Sequence, residues 1–366
     1  MAEKEIFTTK AFLPPLREYT DFIKRAYKNQ TFTDYGVLLQ ELEQKLKTYL
    51  NVQDIKVVTS ATTGLQMAIK ALDIEPGSEI ITTPFSYVAT TTAILAEKCE
   101  PVYVDIEPDN FTIDADKIEA AITPKTKAII PVHIFGYACN LEKIEEIAKK
   151  YNLKVIYDAA HAFAAKYKGK PLVEYGDVSV VSFQESKLFH TAEGGALFST
   201  NPYLMEQFEL IKKCGHVDDN YIRDGFNARL SELHAAMGLA NIKYIDKIIN
   251  KRKELCQTYD ELFGDIVKTP KKQPELEYKY PYYVIVFKSK EEMDNVMNTL
   301  CENRIYPWHC YYPTLNTLKY LKKYQACPVA EDICARMLQM PLYYELDKKD
   351  IKRICETTVK AIERRL

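Results

Sequence analysis

The chain is poor in glycine, with 12 in 366 residues, about half of the usual ~7%. A chain that uses so little is expected to keep it where no side chain fits. Its nine cysteines form no CxxC pair. An odd, unpatterned set reads as the reduced thiols of a cytoplasmic protein and excludes a disulfide framework or a zinc site. No apolar run nears the ~20 residues that span a bilayer, and Met1-Ala2-Glu3-Lys4-Glu5 lacks the apolar core of a signal peptide. Charge of one sign is missing as well. With 49 basic and 51 acidic residues the net charge is −2, which gives no electrostatic reason to expect nucleic acid or a membrane as partner. What is present, 47% hydrophobic and 27% charged residues, belongs to a folded soluble protein and excludes disordered and collagen-like classes. The length predicts two domains with a large buried core.

From about residue 55, β-rich runs alternate with helical stretches. Ile55-Lys56-Val57-Val58 leads to a helix from Gly64 to Leu72, and Glu79-Ile80-Ile81-Thr82 leads to one from Val88 to Glu97. Pro101 to Val104 and Lys127 to His133 follow, and then an amphipathic segment with Leu141, Ile144, Ile147 and Ala148 on one face. Leu153 to Tyr157 and Asp177 to Ser182 complete the series. Apolar runs separated by helices predict an α/β fold, a mostly parallel sheet sandwiched by helices, with ligands off the carboxyl ends of its strands. Beyond Arg229 a long helix, Leu230 through Lys253, is expected to link to a smaller C-terminal α+β domain. The expected division is 1–250 and 251–366.

Four strand ends carry side chains with more than one reading. Asp158-Ala159-Ala160-His161 offers an acid that either caps the next helix or aims a buried carboxylate at a cationic ring nitrogen. Lys187, five residues past Ser182 and six before Glu193-Gly194-Gly195, is either a surface charge or a desolvated amine able to form a Schiff base with a carbonyl. The turn Thr59-Ser60-Ala61-Thr62-Thr63-Gly64 either caps a helix or presents N–H and O–H donors to a phosphate monoester. Tyr87, within Thr83 to Thr90, is either core or a platform for a flat ring. A phosphate cradle, a ring platform, an acid and a Schiff-base lysine are together the contacts pyridoxal phosphate requires. A nicotinamide enzyme would need G-x-G-x-x-G after the first strand, where only Gly64 stands. No Walker loop or HExxH is present, and His133, His190, His216, His234 and His309 are too dispersed for a metal-ligand set.

These motifs, with Leu13-Pro14-Pro15-Leu16, Phe32 to Gly36, Pro131 to Gly136 and Gly225-Phe226-Asn227-Ala228-Arg229-Leu230-Ser231-Glu232, resemble the DegT/DnrJ/EryC1/StrS family of sugar aminotransferases, of fold type I among pyridoxal-phosphate enzymes. The resemblance covers nearly the whole chain. It implies pyridoxal 5'-phosphate as cofactor, with pyridoxamine 5'-phosphate formed during the cycle. It implies that Lys187 holds the cofactor covalently, that Asp158 pairs with the ring nitrogen and that Tyr87 stacks on the ring. Thr62, Thr63 and Ser182 would hold the phosphate, His161 would lie near the ring hydroxyl, and Asn227 would reach the cofactor phosphate of a neighbouring subunit, so that a homodimer shares its sites. The implied reaction moves an amino group from L-glutamate to a nucleotide-linked keto sugar. The nearest likeness is to enzymes making dTDP-4-amino-4,6-dideoxyglucose from dTDP-4-keto-6-deoxyglucose for surface polysaccharide. Alternatives are a 3-ketosugar aminotransferase and a non-catalytic, cofactor-binding regulator; the dehydratases of the family lack the lysine that this chain keeps. Tyr306, Tyr311 and Tyr312 either face the sugar or pack the smaller domain. Six of the 12 glycines, Gly36, Gly64, Gly136, Gly194, Gly195 and Gly225, fall inside the motifs, and they are expected around the cofactor.

Overall fold

The computed structural model describes residues 4–321 and 323–363. Met1, Ala2 and Glu3 of the N-terminal reading, and residues 364–366 of the expected C-terminal domain, lie outside them. In chain order the elements are β1 (Ile6–Phe7), α1 (Leu16–Asn29), α2 (Val37–Leu50), β2 (Lys56–Val58), α3 (Ala61–Ala71), β3 (Glu79–Thr82), α4 (Ala89–Ala96), β4 (Glu100–Tyr103), α5 (Ala115–Ile118), β5 (Thr126–Ile130), α6 (Leu141–Tyr151) and β6 (Lys154–Asp158). Next come β7 (Lys166–Tyr167), β8 (Lys170–Pro171), β9 (Val178–Ser182), β10 (Gly195–Phe198), α7 (Pro202–Ile211), β11 (His216–Val217), β12 (Asn220–Tyr221), α8 (Glu232–Asn241) and α9 (Ile245–Phe263). The last are β13 (Leu276–Glu277), β14 (Tyr283–Val286), α10 (Lys290–Glu302), β15 (Ile305–Tyr306), α11 (Pro328–Ala335), β16 (Met337–Met340) and α12 (Lys348–Glu363).

The seven-stranded sheet has the order β2-β10-β9-β6-β5-β3-β4. Within it β10 alone runs against its neighbours β2 and β9, and the other pairs are parallel. Adjacent strand residues feed opposite cores, as the two-residue period of a strand requires. Val58, Ile80, Ile130, Ile156, Val180 and Leu197 pack with α3, α4 and α7. Their neighbours Val57, Ile81, Ile129, Val155, Val181 and Ala196 pack with α2, α6 and α8. Burial on both faces explains why these strands read as continuous apolar runs instead of alternating ones. A third core joins α9, β14, α10, β16 and α12, and Ile6 of β1 lies within it. That strand pairs in parallel with β15, so the start of the chain packs with its last third.

Two sequence readings are corrected here. The helix expected from Leu230 through Lys253 is broken: α8 ends at Asn241, a 3-10 turn spans Ile242–Tyr244, and α9 continues to Phe263. The apolar spacing passes through the join unchanged, and the buried Asn241 side chain, donating to the His190 carbonyl at 3.0 Å, ties it to a distant loop. The glycines are corrected in part. A Cβ at any of the six would lie 2.9 Å or less from another atom, so all six are positions of close approach. Gly36, however, makes room for the Glu232 carboxylate, and a Cβ at Gly225 would meet the Ile211 carbonyl. These two serve the scaffold, as does Gly64, where a Cβ would meet Val180, and of the six Gly194 alone lines the cavity at the strand ends. Glu232, itself buried, accepts the Leu38 and Leu39 N–H groups at 2.8 Å each and so caps α2 from the first turn of α8.

Candidate active site

The carboxyl ends of β2, β6 and β9 meet at one edge of the sheet. Gly195, the first residue of β10, pairs with both Val58 and Ser182, while Asp158 pairs with Val180. Above this edge lies a cavity of about 850 Å³. Its walls include Thr62, Tyr87, Asp158, His161, Ser182 and Lys187, residues that come from four strand ends and the segments that follow them. Sequence reading singled out each of them.

The phosphate-sized part is built by the start of α3. Ser60 caps it, its Oγ accepting the Thr63 N–H at 3.1 Å, and Ser60, Ala61 and Thr62 face the cavity. The unpaired N–H groups of a first helical turn, together with hydroxyls, form an anion site. The sheet pushes this turn forward. A Cβ on Gly195 would sit 2.6 Å from the Ala61 nitrogen, so the bare glycine lets β10 run directly beneath it. Thr63 turns inward instead: its hydroxyl lies 2.8 Å from Ser60 Oγ, and it is not among the residues lining the cavity.

Asp158 ends β6 with only 5% of its surface exposed. Burial pushes its carboxyl up from the usual carboxylate range. The Thr90 hydroxyl at 2.7 Å, the Ala160 N–H at 3.1 Å and the charge of Lys187 pull the other way. A buried carboxylate so poised gains from a cationic group placed against it. His161 is buried too, and its Nδ1 accepts the Phe135 N–H at 3.1 Å. That bond assigns the proton of the neutral ring to Nε2, which faces Tyr311 Oη at 3.4 Å. Burial first, and then the Lys187 charge, hold His161 well below the usual histidine range, so it is a neutral donor. Lys187 follows β9 on the loop to β10, and its Nζ donates to Tyr282 Oη at 3.0 Å. Ser182 Oγ accepts the Gln184 N–H at 3.3 Å, which shapes the same loop. Tyr87, 60% exposed, stands at the cavity rim.

Asn227 lies apart from the cavity on an exposed loop, where its Oδ1 accepts from Arg229 Nε at 3.2 Å. Three residues that sequence reading gave no role complete the site. Thr90 orients Asp158, and Ser86 Oγ supports Thr90 at 2.9 Å. Tyr282 meets Lys187 from a segment 95 residues further on. The lining also includes Phe7, Thr8, Tyr306, Trp308 and Gln339, which come from the chain's first strand, the residue after it and the last third of the chain. No local signal marked Tyr282 or Gln339, because only the tertiary fold brings them here.

The donors at α3, the buried acid and the amine fit one group, pyridoxal phosphate. A model of the DegT/DnrJ/EryC1/StrS aminotransferase family matches residues 17–359. The chain belongs to this family. It is 35% identical to a dTDP-4-amino-4,6-dideoxy-D-glucose transaminase of Shigella dysenteriae, over 99% of this chain and all of that one. It is 32% identical to the GDP-perosamine synthase of Escherichia coli O157:H7, over 92% of this chain and 93% of the relative. Among solved structures, a Streptococcus pneumoniae protein described as a sugar aminotransferase, in its PLP form, superposes with a TM-score of 0.89 at 25% identity, covering 98% of this chain and all of that one. The protein is therefore a PLP-dependent aminotransferase acting on nucleotide sugars, with the fold of that class.

Proposed function

We propose that the chain transfers the amino group of L-glutamate to C4 of dTDP-4-keto-6-deoxyglucose, giving dTDP-4-amino-4,6-dideoxyglucose for a surface polysaccharide, and that it does so in the cytoplasm as a homodimer. The observation that carries the sugar is the end-to-end likeness to a transaminase named for that product. The GDP-perosamine synthase, at nearly the same identity, keeps a GDP-linked sugar as the second reading.

In this reading the chain's residues divide the work. Ser60, Thr62, Ser182 and the N–H groups of α3 hold the phosphate, Tyr87 covers the ring and His161 donates toward the ring hydroxyl. Asn227 serves the neighbouring subunit's phosphate, and Thr63 acts behind Ser60 by fixing the cap. Asp158, a buried carboxylate when ionised, would keep a proton on the ring nitrogen. When bound, the cofactor supplies a sink for the electron pair left on the donor's α-carbon and carries the amino group between the two half-reactions. Lys187 provides the amine that holds it covalently. When not joined to the cofactor, Lys187 Nζ would take the proton from the donor's α-carbon as base and deliver it onward, to a different atom, as acid.

Two measurements test this. A panel of 3-keto and 4-keto sugars on dTDP, UDP and GDP, with glutamate and NMR of the product, is expected to give amination at C4 of the dTDP sugar; turnover of 3-keto sugars alone overturns the choice. Borohydride is expected to fix the cofactor on the peptide containing Lys187, and Lys187→Ala to lower turnover by at least about 10³-fold. Full activity in that variant overturns the mechanism.

A further inference from the structure

Lys187 is the only lysine or arginine among the described residues that line the cavity, where the acids are Asp158 and Glu193. Its Nζ is nevertheless directed at a neutral phenol, Tyr282 Oη, 3.0 Å away. Tyr282 and the peptide before it are held at three points. Buried Arg252 donates from Nη1 to the Pro281 carbonyl at 2.9 Å. Tyr278 Oη reaches the carbonyls of Tyr282 at 3.3 Å and of Phe135 at 3.0 Å. The Tyr282 ring packs edge-on against His161, centroids 4.7 Å apart. A buried cation spent on one backbone carbonyl beside this residue is more anchoring than a wall tyrosine needs.

We infer that Tyr282 is a positioning residue for Lys187, one that keeps Nζ in place while it is free of the cofactor and carrying a proton. The inference rests on the reading of Lys187 as proton carrier. In the transfer, the α-carbon–hydrogen bond breaks and an N–H bond forms at Nζ; that N–H then breaks as the proton is delivered onward, and Tyr282 gains and loses nothing. A phenol suits this task because it is both donor and acceptor. Its O–H donates to the neutral amine and its oxygen accepts from the ammonium, so the pair survives both states of the lysine. Phenylalanine keeps the ring contacts and loses both bonds.

The test is Tyr282→Phe, read in two ways. In the cofactor-free protein, acetic anhydride labelling of Lys187 is followed by mass spectrometry against surface lysines as internal reference. Both bonds that Tyr282 makes shield the reactive lone pair, so labelling at Lys187 is expected to rise by at least about threefold, while Tyr311→Phe, whose hydroxyl faces His161, leaves it at the wild-type rate. In the loaded enzyme, the glutamate half-reaction is expected to slow about tenfold, with KM within twofold and a larger isotope effect from α-deuterated glutamate. A role in folding or binding alone would move KM and leave the isotope effect unchanged. Labelling of Lys187 within twofold of wild type overturns the inference. If wild type does not react with glutamate but labelling rises as stated, the donor assignment fails and the Lys187–Tyr282 pair stands.

Discussion

Asp158 is held at a cost. Its folded-state value lies above the ordinary one because burial penalises the charge, so the cofactor-free protein loses stability as pH rises from the unfolded value through the folded one. Asparagine removes that charge while preserving the shape. Asp158→Asn is therefore expected to melt higher than wild type when both are cofactor-free at pH 7, a gain on the order of 1 kcal/mol giving about 1 °C for a chain of 366 residues, and to lose at least about 10²-fold in turnover. Calorimetry and a steady-state assay check the pair of effects; equal melting temperatures would mean that the carboxylate is neutral or solvated. At this scale the sequence was informative where chemistry sits next to a strand end, as with Asp158, Lys187 and Ser182. Thr90 and Tyr282 were not legible, since each acts through a residue 68 or 95 positions away.

Among elements, α3 and β10 are built against each other. Gly195→Ala would drive a methyl to within 2.6 Å of the Ala61 nitrogen, which is backbone and cannot swing aside. Displacing the first turn of α3 disturbs the phosphate donors more than it disturbs the core, so the variant is expected to bind pyridoxal phosphate at least about tenfold more weakly, with a stability loss of about 1–3 kcal/mol. Absorbance titration and urea unfolding separate the two, and unchanged affinity would remove β10 from the account of the site. The strands themselves were readable because β3, β6 and β9 are apolar on both faces. The direction of β10 was not, because Gly195 to Phe198 is equally apolar whichever way it runs; nor was the α8–α9 join, where Asn241 answers to His190.

For the molecule as a whole, three buried histidines govern the response to acid. Burial lowers His133 to about 3, and lowers His161 and His190 as well. The unfolded chain titrates near ~6.5, so it binds more protons than the folded one as pH falls below that value, and stability is lost on the acid side. From pH 7 to pH 5 His133 alone removes about 2 kcal/mol. Urea unfolding at the two values is expected to show this loss in wild type and a correspondingly smaller one in His133→Asn; parallel losses would mean that His133 charges while folded.

The cavity wall begins at Phe7 and is finished by Gln339, and β1 waits for β15 to pair. Residues of the phosphate turn, Asp158 and Lys187 are therefore synthesised before Tyr306, Trp308 and Gln339, which complete the lining of the cavity. A chain ending before Tyr282 would lack both the phenol that Lys187 meets and the lining supplied by Tyr306, Trp308 and Gln339. The lining of the cavity is complete only once Gln339 is in place.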